Sequence, residues 1–127
     1  MTNGSPLQGD IFWVDFDEPS ESEPGYTRPA VVIQNDTRNK GDIHTVIVCT
    51  LTRNLDREGD PGNVLLRAGE GGLRGPCVVN VSQVFTVNKE DLRDRQGNVG
   101  FVRAREIIDG FRRAFLDSAE DGPLQNG

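Results

Sequence analysis

The chain has 127 residues, 35% of them hydrophobic, with 15 glycines and a formal net charge of −6. One domain with a modest core fits this length, and short strands with many turns fit the glycine content. The acidity excludes a protein that coats nucleic acid indiscriminately. Even so, 12 of the 14 cationic residues are arginines, all but Lys40 and Lys89. Their planar fork suits phosphates and base edges better than the point charge of lysine.

No run approaches the roughly 18 apolar residues of a membrane-spanning helix, and no charged-then-apolar signal opens the chain. Cys49 and Cys77 sit inside apolar runs without metal-ligand spacing. A cytoplasmic protein with two buried, reduced thiols is therefore expected.

Residues 1–8 are polar and are read as a flexible N-terminus. The β-branched and aromatic residues of 11–16 predict a first strand, with Trp13 as a core residue. Residues 17–27 hold prolines, serines and four carboxylates and read as a long mobile loop. Residues 29–34 predict a second strand, buried on both faces through the apolar run 30–33, with Arg28 at its entrance.

A turn over 35–42 precedes a third buried strand over 45–51. Turn chemistry at 56–62 separates it from a short strand over 63–67, and a glycine-rich connection at 69–76 leads to one or two strands over 77–87. Residues 88–92 read as a helical turn capped by Asn88. A helix over 101–115 carries Ala104, Ile107, Ile108, Phe111 and Phe115 as one apolar stripe. Arg105 with Asp109, and Asp109 with Arg113, are spaced to pair across one turn. Residues 117–127 read as a disordered tail, leaving 9–116 as the domain.

Five to seven short strands followed by one helix lack the crossovers of a doubly wound sheet. A mainly β (α+β) fold is expected, as a small, strongly curved antiparallel barrel or half-barrel with a C-terminal helix. Chemistry is sparse. The single histidine, His44, excludes histidine-pair ribonuclease chemistry within one chain and gives no metal pattern. What remains is Arg28 with the hydroxyls of Thr50 and Thr52, which alternation places on one face of the third strand. Arginines flanking strands are also common surface residues, and the residues alone leave both readings open.

The order of motifs is more specific. G-D-I-F-W-V-D-F at 9–16 is followed by G-Y-T-R-P-A-V-V-I-Q-N-D at 25–36 and by a strand ending Leu51-Thr52. V-F-T-V-N-K-E-D-L at 84–92 and Gly97-Asn98-Val99 come next. Across residues 9–115 the chain resembles the MazF/PemK (Kid) family of toxin–antitoxin endoribonucleases. The resemblance implies a compact SH3-like or CcdB-like barrel with flanking helices, acting as a homodimer that a cognate antitoxin neutralises. It implies cleavage of single-stranded RNA without a metal or other cofactor. The substrate's 2′-hydroxyl attacks the adjacent phosphorus and leaves a 2′,3′-cyclic phosphate and a 5′-hydroxyl. The family's catalytic arginine and threonine fall on Arg28 and Thr52. Ser22, Glu23 and Gln83 match RNA-contacting positions, and Thr50 and Arg53, flanking Thr52, are counted with them. Pro24, Ser82 and Phe85 depart from the family pattern along the expected RNA path, so no cleavage sequence transfers. The alternatives are a CcdB-like non-enzymatic gyrase poison and an inactive homologue that binds antitoxin.

Overall fold

The computed structural model describes residues 4–16 and 26–116. Strand β1 (Asp10–Phe16) pairs antiparallel with β2 (Tyr26–Val32), setting Trp13 opposite Pro29 and Val14 opposite Arg28. A one-turn helix, α1 (Asp36–Asn39), follows; the Asn35 side chain caps it by accepting from the Arg38 N–H. Strands β3 (Thr45–Thr52), β4 (Val64–Leu66), β5 (Cys77–Asn88) and β6 (Leu92–Asn98) lead to helix α2 (Gly100–Phe115). All six strands join one antiparallel sheet in the order β4-β5-β3-β2-β1-β6, curled into a half-barrel.

Alternation sorts the strand side chains into two apolar clusters on opposite faces. Ile11, Val31, Cys49, Leu51 and Val79 meet Ile107 of α2 on one face. Val14, Ala30, Val32, Val46 and Val48 form the other, with Phe12, Phe16 and Leu92 against it. The central strands β2 and β3 thus bury both faces, which explains their unbroken apolar runs.

Helix α2 approaches the turn before β4 backbone to backbone. A Cβ on Gly110 would lie 2.1 Å from the Gly62 carbonyl oxygen, and one on Gly62, at φ +86°, 2.3 Å from the Gly110 carbonyl oxygen. The helix is also tied at its first turns. Arg103 Nε and Nη2 donate to Glu70 at 2.7 and 2.9 Å, and Arg103 Nη1 donates to Glu106 at 2.7 Å. These bonds replace the pairs expected of Arg105, Asp109 and Arg113; Arg105 instead lies over the Phe101 ring, 5.7 Å from its centroid.

Three further expectations are revised. β2 begins at Tyr26 and ends at Val32, so Arg28, expected at the strand's entrance, lies within it. Pairing with β3 covers only Ala30–Val32, so Pro29 has a strand neighbour on one side alone, where a missing N–H is tolerated. Leu92, expected to end a helical turn, instead opens β6, and residues 93–98, unassigned from the sequence, complete it. Residues 89–91 make a 3-10 turn in which Asn88 gives no side-chain cap.

The N-terminal approach is pinned at its end. Leu7 N–H donates to Asp10 Oδ2 in β1 and Gln8 N–H to Asp36 Oδ1 in α1, so the last two residues of the segment read as flexible are tied to the body of the fold. Buried Asp10 also accepts from Asn98 Nδ2 at 2.9 Å and pairs with Arg95 at 2.9 Å, fastening β1 to β6. At the far side, β4 pairs only with Cys77–Val79. Beyond that, β5 has β3 as its only strand neighbour among the described residues, and Asn63 Oδ1 accepts from the Val81 N–H.

Candidate active site

Arg28 is half-buried, and its Nη2 donates to the Leu51 carbonyl oxygen at 3.3 Å. The bond spans the place where β2 and β3 part after the Ala30–Thr50 pair. Counting on two residues from that pair along each strand reaches Arg28 and Thr52, on the same face. That face is the one carrying Ala30, Val46 and Val48. The guanidinium is therefore anchored on backbone at Leu51, the residue before Thr52.

Thr52 Oγ accepts from the Asn54 N–H at 3.1 Å. A hydroxyl that accepts from backbone has its own proton left to donate, and its rotor is oriented by that bond. One step inward, buried Thr50 donates to Gln83 Oε1 at 3.1 Å. This bond joins two of the expected RNA-binding residues and fixes the exposed Gln83 amide. Phe85 follows on the same face, 40% exposed, with its ring 5.2 Å from Phe16 in an edge-on pair. Phe85 thus places an aromatic surface beside Gln83. Ser82 Oγ donates to Asn80 Oδ1 at 2.9 Å.

Not every expected residue joins this cluster. Ser22 and Glu23, with Pro24, lie outside the described residues. Arg53 follows Thr52 but turns to the reverse face, into a groove of about 470 Å³ lined by Trp13, Pro29, Arg74, Cys77 and Gln96 among others. Trp13 is half-buried on the groove wall, not enclosed in the core as expected. Arg74 was hidden from sequence reading because the glycine-rich segment around it looks like a mere connection.

Burial pushes the Cys49 thiol up to about 12, and it donates to the Asn80 carbonyl at 2.9 Å. Burial also raises Cys77, with Arg53 acting in the opposite direction. His44 is exposed, and its carbonyl accepts from the Lys89 N–H. Among the described residues no three His, Cys, Asp or Glu side chains converge as a metal-binding set.

Residues 7–115 match the family of PemK-like, MazF-like toxins of type II toxin–antitoxin systems. The chain belongs to that family. It is 41% identical over 106 residues to the endoribonuclease MazF6 of Mycobacterium tuberculosis, covering 84% of this chain and 93% of the relative. It is 30% identical over 100 residues to the endoribonuclease MazF of Staphylococcus saprophyticus, covering 79% and 82%. The fold matches a mycobacterial endoribonuclease solved in complex with its cognate antitoxin, with TM-score 0.71 and 23% identity over 94% of this chain and 100% of that one. MazF of Deinococcus radiodurans superposes with TM-score 0.67 and 22% identity over 87% and 96%. No helix among the described residues is long and apolar enough to cross a membrane.

Proposed function

We propose that this toxin is an endoribonuclease that cleaves single-stranded mRNA without a metal ion, through attack of a substrate 2′-hydroxyl on the adjacent phosphorus. The bond to the 5′-oxygen breaks, giving a 2′,3′-cyclic phosphate and a 5′-hydroxyl end. The observation that carries the reading is the Arg28 guanidinium anchored on the Leu51 carbonyl beside Thr52. The phosphorane formed in this reaction gathers negative charge on its non-bridging oxygens. A fixed, permanently charged fork stabilises that charge without reorganising. Thr52 adds a hydroxyl donor to the same oxygens. A guanidinium, with a pKa above about 12, is assigned to electrostatic stabilisation and not to proton abstraction.

Gln83, held by Thr50, is the base-reading group beside the reaction centre, and Ser22 and Glu23 extend the RNA path. The toxin works in the cytoplasm as a homodimer, and a cognate antitoxin blocks it. Exposed Phe101, Val102, Phe115 and Leu116 on and beside α2 supply apolar surface for such partners.

The test incubates the purified protein with a long single-stranded RNA in excess EDTA and maps the ends. Discrete cuts with cyclic-phosphate and 5′-hydroxyl ends are expected. Arg28→Ala should slow them by about 100- to 1,000-fold, the scale for losing one oxyanion donor. Ends bearing a 3′-hydroxyl, or cuts indifferent to Arg28, overturn the mechanism. Intact RNA with a DNA-damage response on expression would support the gyrase-poison alternative.

A further inference from the structure

We infer that the groove behind Arg28 holds a nucleotide flanking the scissile phosphate, with its base against Trp13 and a phosphate between Arg53 and Arg74. This rests on the RNA-cleaving reading above and assigns that RNA a second point of attachment. The groove, about 470 Å³, falls in the range of small-ligand pockets, about 300–1,000 Å³.

Its position is fixed by strand alternation. Pro29, next to Arg28, and Arg53, next to Thr52, both line it. Consecutive strand residues point to opposite faces. The groove and the reaction centre are therefore the two sides of one short stretch, where β2 and β3 have stopped pairing. An RNA strand crossing the ends of β2 and β3 passes from one to the other.

Its chemistry is that of a single-strand site. In a chain of net charge −6, the described lining of this groove holds two arginines and no carboxylate. Neither arginine makes a salt bridge among the described residues; both are exposed. An indole wall is a stacking platform that accepts any base. Gln96 brings an amide to the same wall, able to donate to and accept from a base edge. Gly72 and Gly75 leave the floor without side chains, so a sugar-phosphate backbone can come close.

Trp13 is the only tryptophan of the chain, so its fluorescence reports directly on the groove. A fluorescently labelled single-stranded RNA is titrated into Arg28→Ala protein, whose cleavage is slow on the time of the titration, and anisotropy and Trp13 emission are followed together. Emission should be quenched in step with the anisotropy rise. Adding Arg74→Gln should weaken binding about tenfold, the value of one charge-assisted hydrogen bond. It should also lower the slope of log affinity against log salt by about 0.7, one single-strand phosphate contact. In the Arg28-containing enzyme the same change should raise KM. Arg105→Gln, on the exposed side of α2, controls for loss of one charge and should do neither.

An RNA complex seen by anisotropy with Trp13 unquenched, and Arg74→Gln indistinguishable from Arg105→Gln, overturns the groove assignment. Arg28-dependent cleavage would then still stand. Quenching by an acidic peptide but not by RNA also overturns it, in favour of a protein ligand. Absence of both RNA binding and RNA cleavage removes the endoribonuclease reading and this site together.

Discussion

Gly110 sits in the middle of α2, where helix propensity alone favours alanine by about 1 kcal/mol. The structure reverses the sign. An alanine Cβ there would stand 2.1 Å from the Gly62 carbonyl oxygen, against an ordinary carbon–oxygen separation of about 3.4 Å. Backbone faces backbone, so no side chain can rotate away, and the helix must lift by roughly 1 Å. Lifting it draws Ile107 and Ala104, both buried, off the β-sheet. Overpacking of this kind costs about 1–3 kcal/mol, and a rigid neighbour sets it at the upper end. Net of the propensity gain, Gly110→Ala should destabilise by about 2 kcal/mol, lowering Tm by about 8 °C for a domain of this size. Urea and thermal unfolding followed by Trp13 emission measure this, with Asp109→Ala on the exposed face as a near-neutral control. A Gly110→Ala protein as stable as the parent, or more so, would falsify the close-approach account.

Arg103 holds the Glu70 carboxyl down to about 2 from its ordinary 4.5, chiefly by hydrogen bonding. A carboxylate lowered in the folded state stabilises above its unfolded pKa and loses that contribution as pH falls from about 4.5 through about 2. With both partners about a quarter exposed (25% and 26%), screening limits the term to about 1 kcal/mol. The stability gap between parent and Glu70→Gln should therefore shrink between pH 5 and pH 3, and a pH-independent gap refutes the linkage. The Cys49 thiol, raised to about 12 by burial, should resist iodoacetamide at pH 8 in native protein and react once urea unfolds it. Rapid native labelling at Cys49, located by peptide mass spectrometry, contradicts this.

What was legible in the sequence follows from what determines each element. The strands near residues 11–16, 29–34 and 45–51 and helix α2 declare themselves because local apolar pattern and burial agree. β6 did not, since Leu-Arg-Asp-Arg-Gln-Gly-Asn has no β-branched residue and little apolar surface. It is a strand because β1 offers an edge and because Arg93 and Arg95 find Asp15 and Asp10 there, partners far away in the chain. Arg28, Thr50, Thr52 and Gln83 could be named from motif order, and alternation placed the two threonines on one face. The Leu51 carbonyl that anchors Arg28, and the turn of Arg53 toward Arg74 and Trp13, depend on where two strands separate. No local pattern encodes that.

The unequal lengths of β4 and β5 give the sheet two different rims. Along β6, Arg93, Asp94 and Arg95 line the outer margin with charge, which discourages another chain from adding there. Along β5, past the point where β4 stops and Asn63 covers Val81, the margin from Ser82 to Asn88 has no flanking strand among the described residues. Exposed Val84 and Phe85 lie in the middle of it. Among the described residues this stretch of β5 is the open margin nearest the candidate site, and an extended segment that added there would lie beside Gln83.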